Sequence, residues 1–354
     1  MTTPITMAET PVPVIDLDRV EHNLAKMQAY CDLHGLALRP HIKTHKIPAF
    51  AQRQMALGAT GITCQKLGEA EVMSEAGLDD ILISYPLIGA AKALRLARLA
   101  RRARMRVAID NPVALETVAM AAAEAGAEIG ILIEFDSGAR RTGVTSVEEA
   151  VTLAQSAAAS SGLRFDGLMT YPILPGTAAF IAAAKTALAA VHLSPSIISG
   201  GGTPNAWRAH ETAGLTELRV GNYIYYDRAT VGSGAASLED CALHVHATIV
   251  SRPTDNRAIL DCGTKSLTSD PVAPEVGRGF GLILDYPDAV IERVNEEHGM
   301  VDLSACAHRP KIGERVRILP NHACVVSNLH DRMLAARDGM VVDTLTVTAR
   351  GLTV

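Results

Sequence analysis

The sequence predicts an α/β protein: a (β/α)8 barrel of the TIM type joined to a C-terminal antiparallel β domain. Three observations predict it. Between about residues 18 and 225, Ala/Leu-rich amphipathic runs alternate with short β-rich runs, the pattern of parallel βαβ units. Eight such units suit a closed barrel better than an open doubly wound sheet. Beyond about residue 240 the helical periods fade, and short strand-like runs follow, separated by Gly, Pro, Asp and Asn.

The elements follow in order. The apolar segment 11–17 comes too early to be a barrel strand and is assigned to the β domain. That domain is then built from residues 1–16 and 241–354, around a barrel at 17–240. Strand patterns occupy 38–44, 60–64, 80–85, 105–110, 129–135, 166–171, 196–200 and 218–224. Helical patterns occupy 17–34, 48–57, 67–76, 90–104, 112–125, 146–160, 178–191 and 205–212. Asn111 followed by Pro112 is a good start for the fifth of these, an N-cap with Pro at the first helical position. In the C-terminal part, 243–250, 257–262, 280–284, 289–295, 315–318, 322–326 and 341–347 read as strands.

Composition narrows the function classes. The 354 residues hold 33 Lys+Arg against 38 Asp+Glu, a net charge of −5, which argues against nucleic acid or an anionic membrane as partner. No apolar run reaches the length of a membrane helix, and MTTPITMAET has no secretory pattern. A cytoplasmic enzyme acting on a small molecule is expected. The six Cys form no CxxC pair and read as small buried hydrophobes, with Cys324 as the exception. Arg95, Arg98, Arg101, Arg102, Arg104 and Arg106 have no interleaved aromatics and read as a solvated helix.

A barrel keeps its chemistry at the C-terminal ends of its strands. There the first strand offers Arg39-Pro40-His41-Ile42-Lys43-Thr44-His45-Lys46, the second Gln65, the fifth Glu134-Phe135-Asp136 and the sixth Tyr171. The seventh runs into Gly200-Gly201-Gly202-Thr203 before a helical pattern, the setting in which backbone N–H groups bind phosphate. A phosphate cradle across the mouth from a lysine suggests pyridoxal phosphate (PLP), with the lysine holding the aldehyde.

These motifs together resemble the D-threonine aldolase / D-serine dehydratase family of fold-type III PLP enzymes, related to alanine racemase. The resemblance rests on Arg39 to Lys46, on Gly61-Ile-Thr-Cys-Gln-Lys-Leu-Gly-Glu-Ala-Glu, on Asp136-Ser-Gly-Ala-Arg-Arg-Thr-Gly and on Pro320-Asn-His-Ala-Cys. It implies that Lys43 is the Schiff-base lysine, with Lys46 as the alternative amine. It implies that Gly201, Gly202, Thr203 and Tyr223 contact the phosphate and ring. Arg141 would face the phenolic oxygen unless its neighbour Arg140 does, and Gln65 and Tyr171 would lie near the cofactor. His41 or His45 is either the acid/base or a hydrogen-bond partner of the cofactor. A homodimer is also implied.

His322 and Cys324 form a second constellation. Read as strand residues i and i+2, they face one side, and imidazole beside thiolate suits Zn2+ better than Mn2+ or Mg2+. The alternative is a satisfied core His beside an apolar Cys. His-x-Cys departs from the His-x-Asp pair of the low-specificity aldolases and matches the D-serine dehydratases. Asp331 is a candidate supporting acid. His244 and His246 share a strand face and either bind metal or pack.

The expected activity is a PLP- and metal-dependent lyase acting on 3-hydroxy D-amino acids. Retro-aldol cleavage of a D-threonine-type substrate to glycine and an aldehyde stands first. Dehydration of D-serine or 3-hydroxy-D-aspartate stands second and racemisation third. A non-catalytic PLP carrier is the reading from another class.

Overall fold

The computed structural model describes residues 3–354, which form two compact units. One comprises residues 27–43, 48–221 and 352–354; the other comprises the N-terminal stretch to Lys26, Thr44–Ile47 and Asn222–Gly351. No helix among the described residues is long and apolar enough to cross a membrane.

The first unit is the barrel. Its strands are Ala37–Leu38, Ile62–Cys64, Asp80–Ile83, Arg104–Ile109, Ile129–Glu134, Leu163–Thr170, Ile197–Gly201 and Glu217–Arg219. All neighbours pair in parallel, and a parallel bridge from His41 to Thr63 joins the first strand's path to the second, closing the ring. Helices Pro48–Leu57, Leu67–Glu75, Ala90–Ala100, Pro112–Ala125, Val147–Ala159 and Thr177–Ala190 fill six of the crossovers. Asn111 caps the fourth of these, accepting from Ala114 N at 2.9 Å, and Ser146 closes a capping box with Glu149 on the fifth.

The barrel interior is layered. Side chains alternate along a strand, so Asp80, Leu82 and Ser84 share a face, as do Gly130, Leu132 and Glu134. The middle layer is apolar: Leu82, Ala108, Leu132 and Met169 are buried against one another. The layer beneath is ionic. Asp80 binds Arg39 and Arg106 at 2.7 Å each, and Arg106 continues to Asp166 at 2.8 Å. The Arg39–Asp80 and Arg106–Asp166 pairs join strands that are not neighbours, so the network crosses the barrel's inside. A side chain at Gly130 would strike Asp166 Oδ2 at 2.3 Å; glycine there makes room for the network.

Three local expectations are corrected. The first and eighth strands are shorter than their patterns, because the chain turns into 3-10 segments at Ile42–Thr44 and Asn222–Ile224. Lys43 therefore sits on a turn, not on a strand. The segment after the glycine turn is a 3-10 stretch, Ala206–Glu211, so no α-helix dipole points at that turn. The arginine run is not a uniformly solvated face: Arg95 pairs with Glu71, Arg101 with Glu124, and Arg106 lies inside the barrel.

The second unit is a ten-stranded sheet that includes Val12–Asp16 from the N-terminal segment and Leu243–Thr254. Leu243–Thr254 pairs with both Arg257–Leu260 and Arg315–Leu319, so six strands close on themselves. The sheet is antiparallel except where Val12–Asp16 runs parallel to Arg332–Arg337. Leu243, Val245, Ala247, Ile15 and Ile318 are fully buried on one face, leaving His244 and His246 on the other.

Candidate active site

Lys43, Arg141, Tyr171 and the glycine turn gather at the C-terminal ends of the barrel strands. Lys43 Nζ lies 5.7 Å from the centre of the Tyr171 ring, and the Arg141 guanidinium lies 4.5 Å from the same ring. The ring in turn packs on the turn: a Cβ at Gly201 would meet Tyr171 Cδ2 at 3.2 Å and Arg219 O at 2.9 Å. Gly202 has φ +117, a region that favours glycine. Thr203 is buried behind it.

His41 anchors the turn that carries Lys43. Its Nδ1 accepts the Lys43 backbone N–H at 3.3 Å. That leaves the proton on Nε2, which donates to Gln65 Oε1 at 3.1 Å, with Ser84 Oγ at 3.3 Å. Gln65 also donates to Ser84 O at 3.4 Å. Both ring nitrogens of His41 are thus committed, which suits a strut better than an acid/base.

Arg140 and Arg141 separate clearly. Arg140 is exposed in a left-handed turn, φ +55, its N–H bonded to Asp136. Arg141 reaches back to Glu134 Oε1 at 3.3 Å. The sequence reading passes over Glu134 as a site residue. Burial pushes its carboxyl pKa up, against the lowering by Thr142 and Arg141, and its Oε2 is buried with no hydrogen-bond partner.

Arg219 is a second omission. It is fully enclosed, donating to Ser199 Oγ at 2.5 Å and Thr170 O at 2.9 Å. Burial lowers its pKa to about 10 despite Glu217 and Glu134 nearby. Ser199 Oγ donates to Glu217 Oε1 at 2.6 Å, and Glu217 accepts from Arg39 at 2.8 Å. The mouth is thereby wired to the ionic layer below.

A PLP-sized group fits this donor set. It needs an amine for its aldehyde, a Cβ-free turn for its phosphate and cations for its oxygens. Lys43, Gly201–Gly202 and the two arginines supply these, and the orphaned Glu134 oxygen marks a polar place still without a partner.

The remaining expected residues belong to the other unit. His45 is fully buried, its Nδ1 accepting from Ile47 N at 3.0 Å. Tyr223 is fully buried in the turn Asn222–Ile224. His322 and Cys324 are not on a strand: the expected strand at 322–326 is the start of the helix Ala323–Leu329, with His322 as its N-cap. The two side chains are still neighbours there, within hydrogen-bonding reach. Asp331 is paired with Arg350 and exposed; it does not support His322.

Asp227 does so instead. It is completely buried at the N-cap of Arg228–Gly232. Its Oδ2 accepts from His322 Nδ1 at 3.2 Å, Ala323 N at 2.9 Å and Asn222 Nδ2 at 2.6 Å. Burial would lower the His322 pKa, but Asp227 and Cys324 outweigh it and push the imidazole up to about 11. The same hydrogen bonds hold the Asp227 carboxyl low against its own burial. With Nδ1–H spent on Asp227, Nε2 is the nitrogen that would ligate, a metal displacing its proton, in the usual carboxylate–histidine–metal arrangement. Thr44, next to Lys43 in sequence, places Oγ1 3.2 Å from Cys324 Sγ. The donor set fits a divalent metal bound by two protein ligands; no cluster of three or more His, Cys, Asp or Glu suited to a metal occurs among the described residues.

The chain is similar to known proteins over its whole length. The family model of the alanine racemase N-terminal domain matches residues 15–229, and a model described as "Putative serine dehydratase domain" matches residues 242–336. The D-threonine aldolase of Arthrobacter sp. is 37% identical, over 98% of this chain and 94% of its own. The crystal structure of D-threonine aldolase from Filomicrobium marinum superposes with a TM-score of 0.92 at 33% identity, covering 100% of this chain and 98% of that one. A cysteine-to-alanine mutant of D-threo-3-hydroxyaspartate dehydratase, solved in a metal-free form, superposes with a TM-score of 0.86 at 31% identity, covering 97% and 98%.

Proposed function

The chain belongs to the family of the alanine racemase N-terminal domain, and from that premise we propose that it is a PLP-dependent lyase of 3-hydroxy D-amino acids. Retro-aldol cleavage of a D-threonine-type substrate to glycine and an aldehyde is the leading activity. The observation that carries it is the gathering of Lys43, Arg141 and Tyr171 over the Gly201–Gly202 turn, in a chain akin to D-threonine aldolases.

When bound, PLP supplies an electron sink for the bond broken at Cα. Lys43 would hold its aldehyde, Gly201, Gly202 and Thr203 its phosphate, and Arg141 its phenolic oxygen. Tyr171 forms one wall of that pocket and Gln65 steadies His41. His41 fixes the turn that carries the Lys43 amine. A divalent metal, with zinc favoured by the thiolate, would be held by His322 and Cys324 and supplies a Lewis acid for a substrate hydroxyl. Asp227 sets the His322 tautomer. In cleavage, the proton that moves is on the substrate hydroxyl. In dehydration it is on Cα: the Lys43 amine would take it, and the substrate's β-hydroxyl would leave as hydroxide.

Dehydration is retained as the second reading because Cys324, not an aspartate, stands beside His322. Product analysis on D-threonine and D-serine separates the two. Acetaldehyde with glycine supports cleavage; a keto acid with ammonia supports dehydration; the L-enantiomer alone would sink both. Lys43→Ala is expected to abolish turnover and the visible absorbance of the holoenzyme. Removal of metal by EDTA, with add-back of Zn2+ or Mn2+, is expected to suspend and restore turnover. The proposal includes a cytoplasmic homodimer, which sedimentation of the holoenzyme tests.

A further inference from the structure

Thr44 carries a buried hydroxyl that the lyase chemistry leaves without a task. The residue ends the 3-10 turn Ile42–Thr44 and is fully buried. A threonine can bond back to a backbone carbonyl three or four residues earlier. Thr44 does not. Its Oγ1 lies 3.2 Å from Cys324 Sγ and has no other hydrogen-bond partner among the described residues.

The segment that follows is tied down. His45 Nδ1 accepts the Ile47 N–H at 3.0 Å. Lys46 O accepts the Ala349 N–H at 3.1 Å, and Lys46 Nζ donates to Ala349 O at 3.4 Å. Lys46 is itself left-handed, with φ +56, a conformation that a non-glycine residue keeps where its surroundings enforce it. These ties hold the backbone beside Thr44, so the hydroxyl meets the sulfur without a long, free side chain having to be ordered.

The chemistry sets the direction of the bond. A cysteine that ligates a metal has lost its proton. Its sulfur can then only accept, and the hydroxyl must donate. Such a bond is charge-assisted. It draws charge off the sulfur and fixes the sulfur's place, the work of a partner that stands behind a metal ligand.

We propose that Thr44 is a positioning residue of the metal site, its hydroxyl donating to the Cys324 thiolate. The proposal rests on the reading of His322 and Cys324 as metal ligands. It gives the thiolate a support as specific as the one that Asp227 gives His322.

The test uses the PLP-loaded holoenzyme, whose visible absorbance confirms loading in each variant. Zn2+ affinity is measured by competition with a chromogenic chelator. Co2+ is then added in its place, and the thiolate-to-cobalt charge-transfer band is read as a difference from the metal-free holoenzyme. Thr44→Val keeps the shape and loses the donor. It is expected to weaken Zn2+ binding by about tenfold or more and to move the cobalt band to longer wavelength, since the thiolate electrons are no longer held by the hydrogen bond. Thr44→Ser keeps the donor and is expected to restore both. If the valine variant does not fold, Thr44→Ala replaces it with the same expectations. Unchanged affinity overturns the proposal. So does a band that stays in place while affinity falls, which would make Thr44 a packing residue, and so does a serine variant as weak as the valine one. Cys324→Ala separates this from the ligand reading. Zn2+ uptake that it abolishes supports that reading by itself; uptake that is absent in wild type, or indifferent to this change, overturns both.

Discussion

At the scale of single residues, Asp227 decides what His322 can do. Without the carboxylate the imidazole is free to take either tautomer, and the backbone N–H of Ala323 loses its acceptor. Asp227→Asn preserves the shape and removes the charge. It is expected to weaken metal affinity by about 10- to 100-fold, the usual cost of losing such a supporting partner, while leaving PLP absorbance intact. Metal titration against a chromogenic chelator checks it; unchanged affinity would show that Asp227 serves only as a helix cap. His41 teaches a related lesson. Sequence leaves it open as acid/base or as a hydrogen-bond partner of the cofactor; the structure gives it a third role, accepting the Lys43 backbone N–H on its Nδ1.

At the scale of elements, the strand Leu243–Thr254 carries a hidden acid sensitivity. Burial holds His244 down to about 3, with Arg19 and His246 adding to it, and burial with Arg315 and Arg317 holds His246 down to about 4. Unfolded histidine titrates near 6.5. Between these values the unfolded chain binds more protons than the folded one, so stability falls as pH falls from about 6.5 toward 4. At pH 5 the penalty is roughly 2 kcal/mol for each imidazole. Thermal melts from pH 7.5 to 5 are expected to show this fall, and His246→Asn to flatten it. An equally steep fall in the variant would assign the acid sensitivity to other groups. The start of Ala323–Leu329 shows how an element can be misread while two of its side chains stay side by side. Val325 and Val326 after Ala-Cys look like a strand, yet the chain turns helical at Ala323, where Asp227 accepts the Ala323 N–H. His and Cys two apart remain neighbours because one cap-to-helix turn also brings them together.

At the scale of the whole molecule, the barrel stands on charge as well as on apolar packing. Asp80 faces Arg39 and Arg106 inside the barrel and Arg104 at 3.0 Å. Asp80→Asn leaves two enclosed guanidinium groups short of a counter-charge, and the loss is expected to be about 3–5 kcal/mol. Chemical denaturation checks it. A loss below about 1 kcal/mol, the size of a surface pair, would mean that water enters the network. The ionic layer reaches the mouth through Glu217, Ser199 and Arg219, so the same variant is expected to perturb the cofactor absorbance slightly while turnover persists.

Much of this was legible in the sequence. The eight-fold alternation specified the barrel because each βαβ unit buries its own helix–strand contact locally. The polar strand ends and the glycine turn were legible because barrel chemistry sits at strand ends, which pattern locates; singling out Lys43, Arg141 and Tyr171 among them rested on the resemblance to a family. The turn conformation at Lys43, the 3-10 stretch after Gly202 and the helix at Ala323 were not, since short segments are settled by what packs on them. Asp227 lies 95 residues from His322, Asp80 41 from Arg39 and Arg315 more than 300 from Ile5. No local period records such pairings. Sequence by itself determined the architecture and the chemical types at the mouth, because these depend on hydrophobic periodicity and on residue identity. Only the tertiary structure decided which acid holds which base and which imidazoles stay neutral, because burial and distance set those, and both arise when remote segments meet.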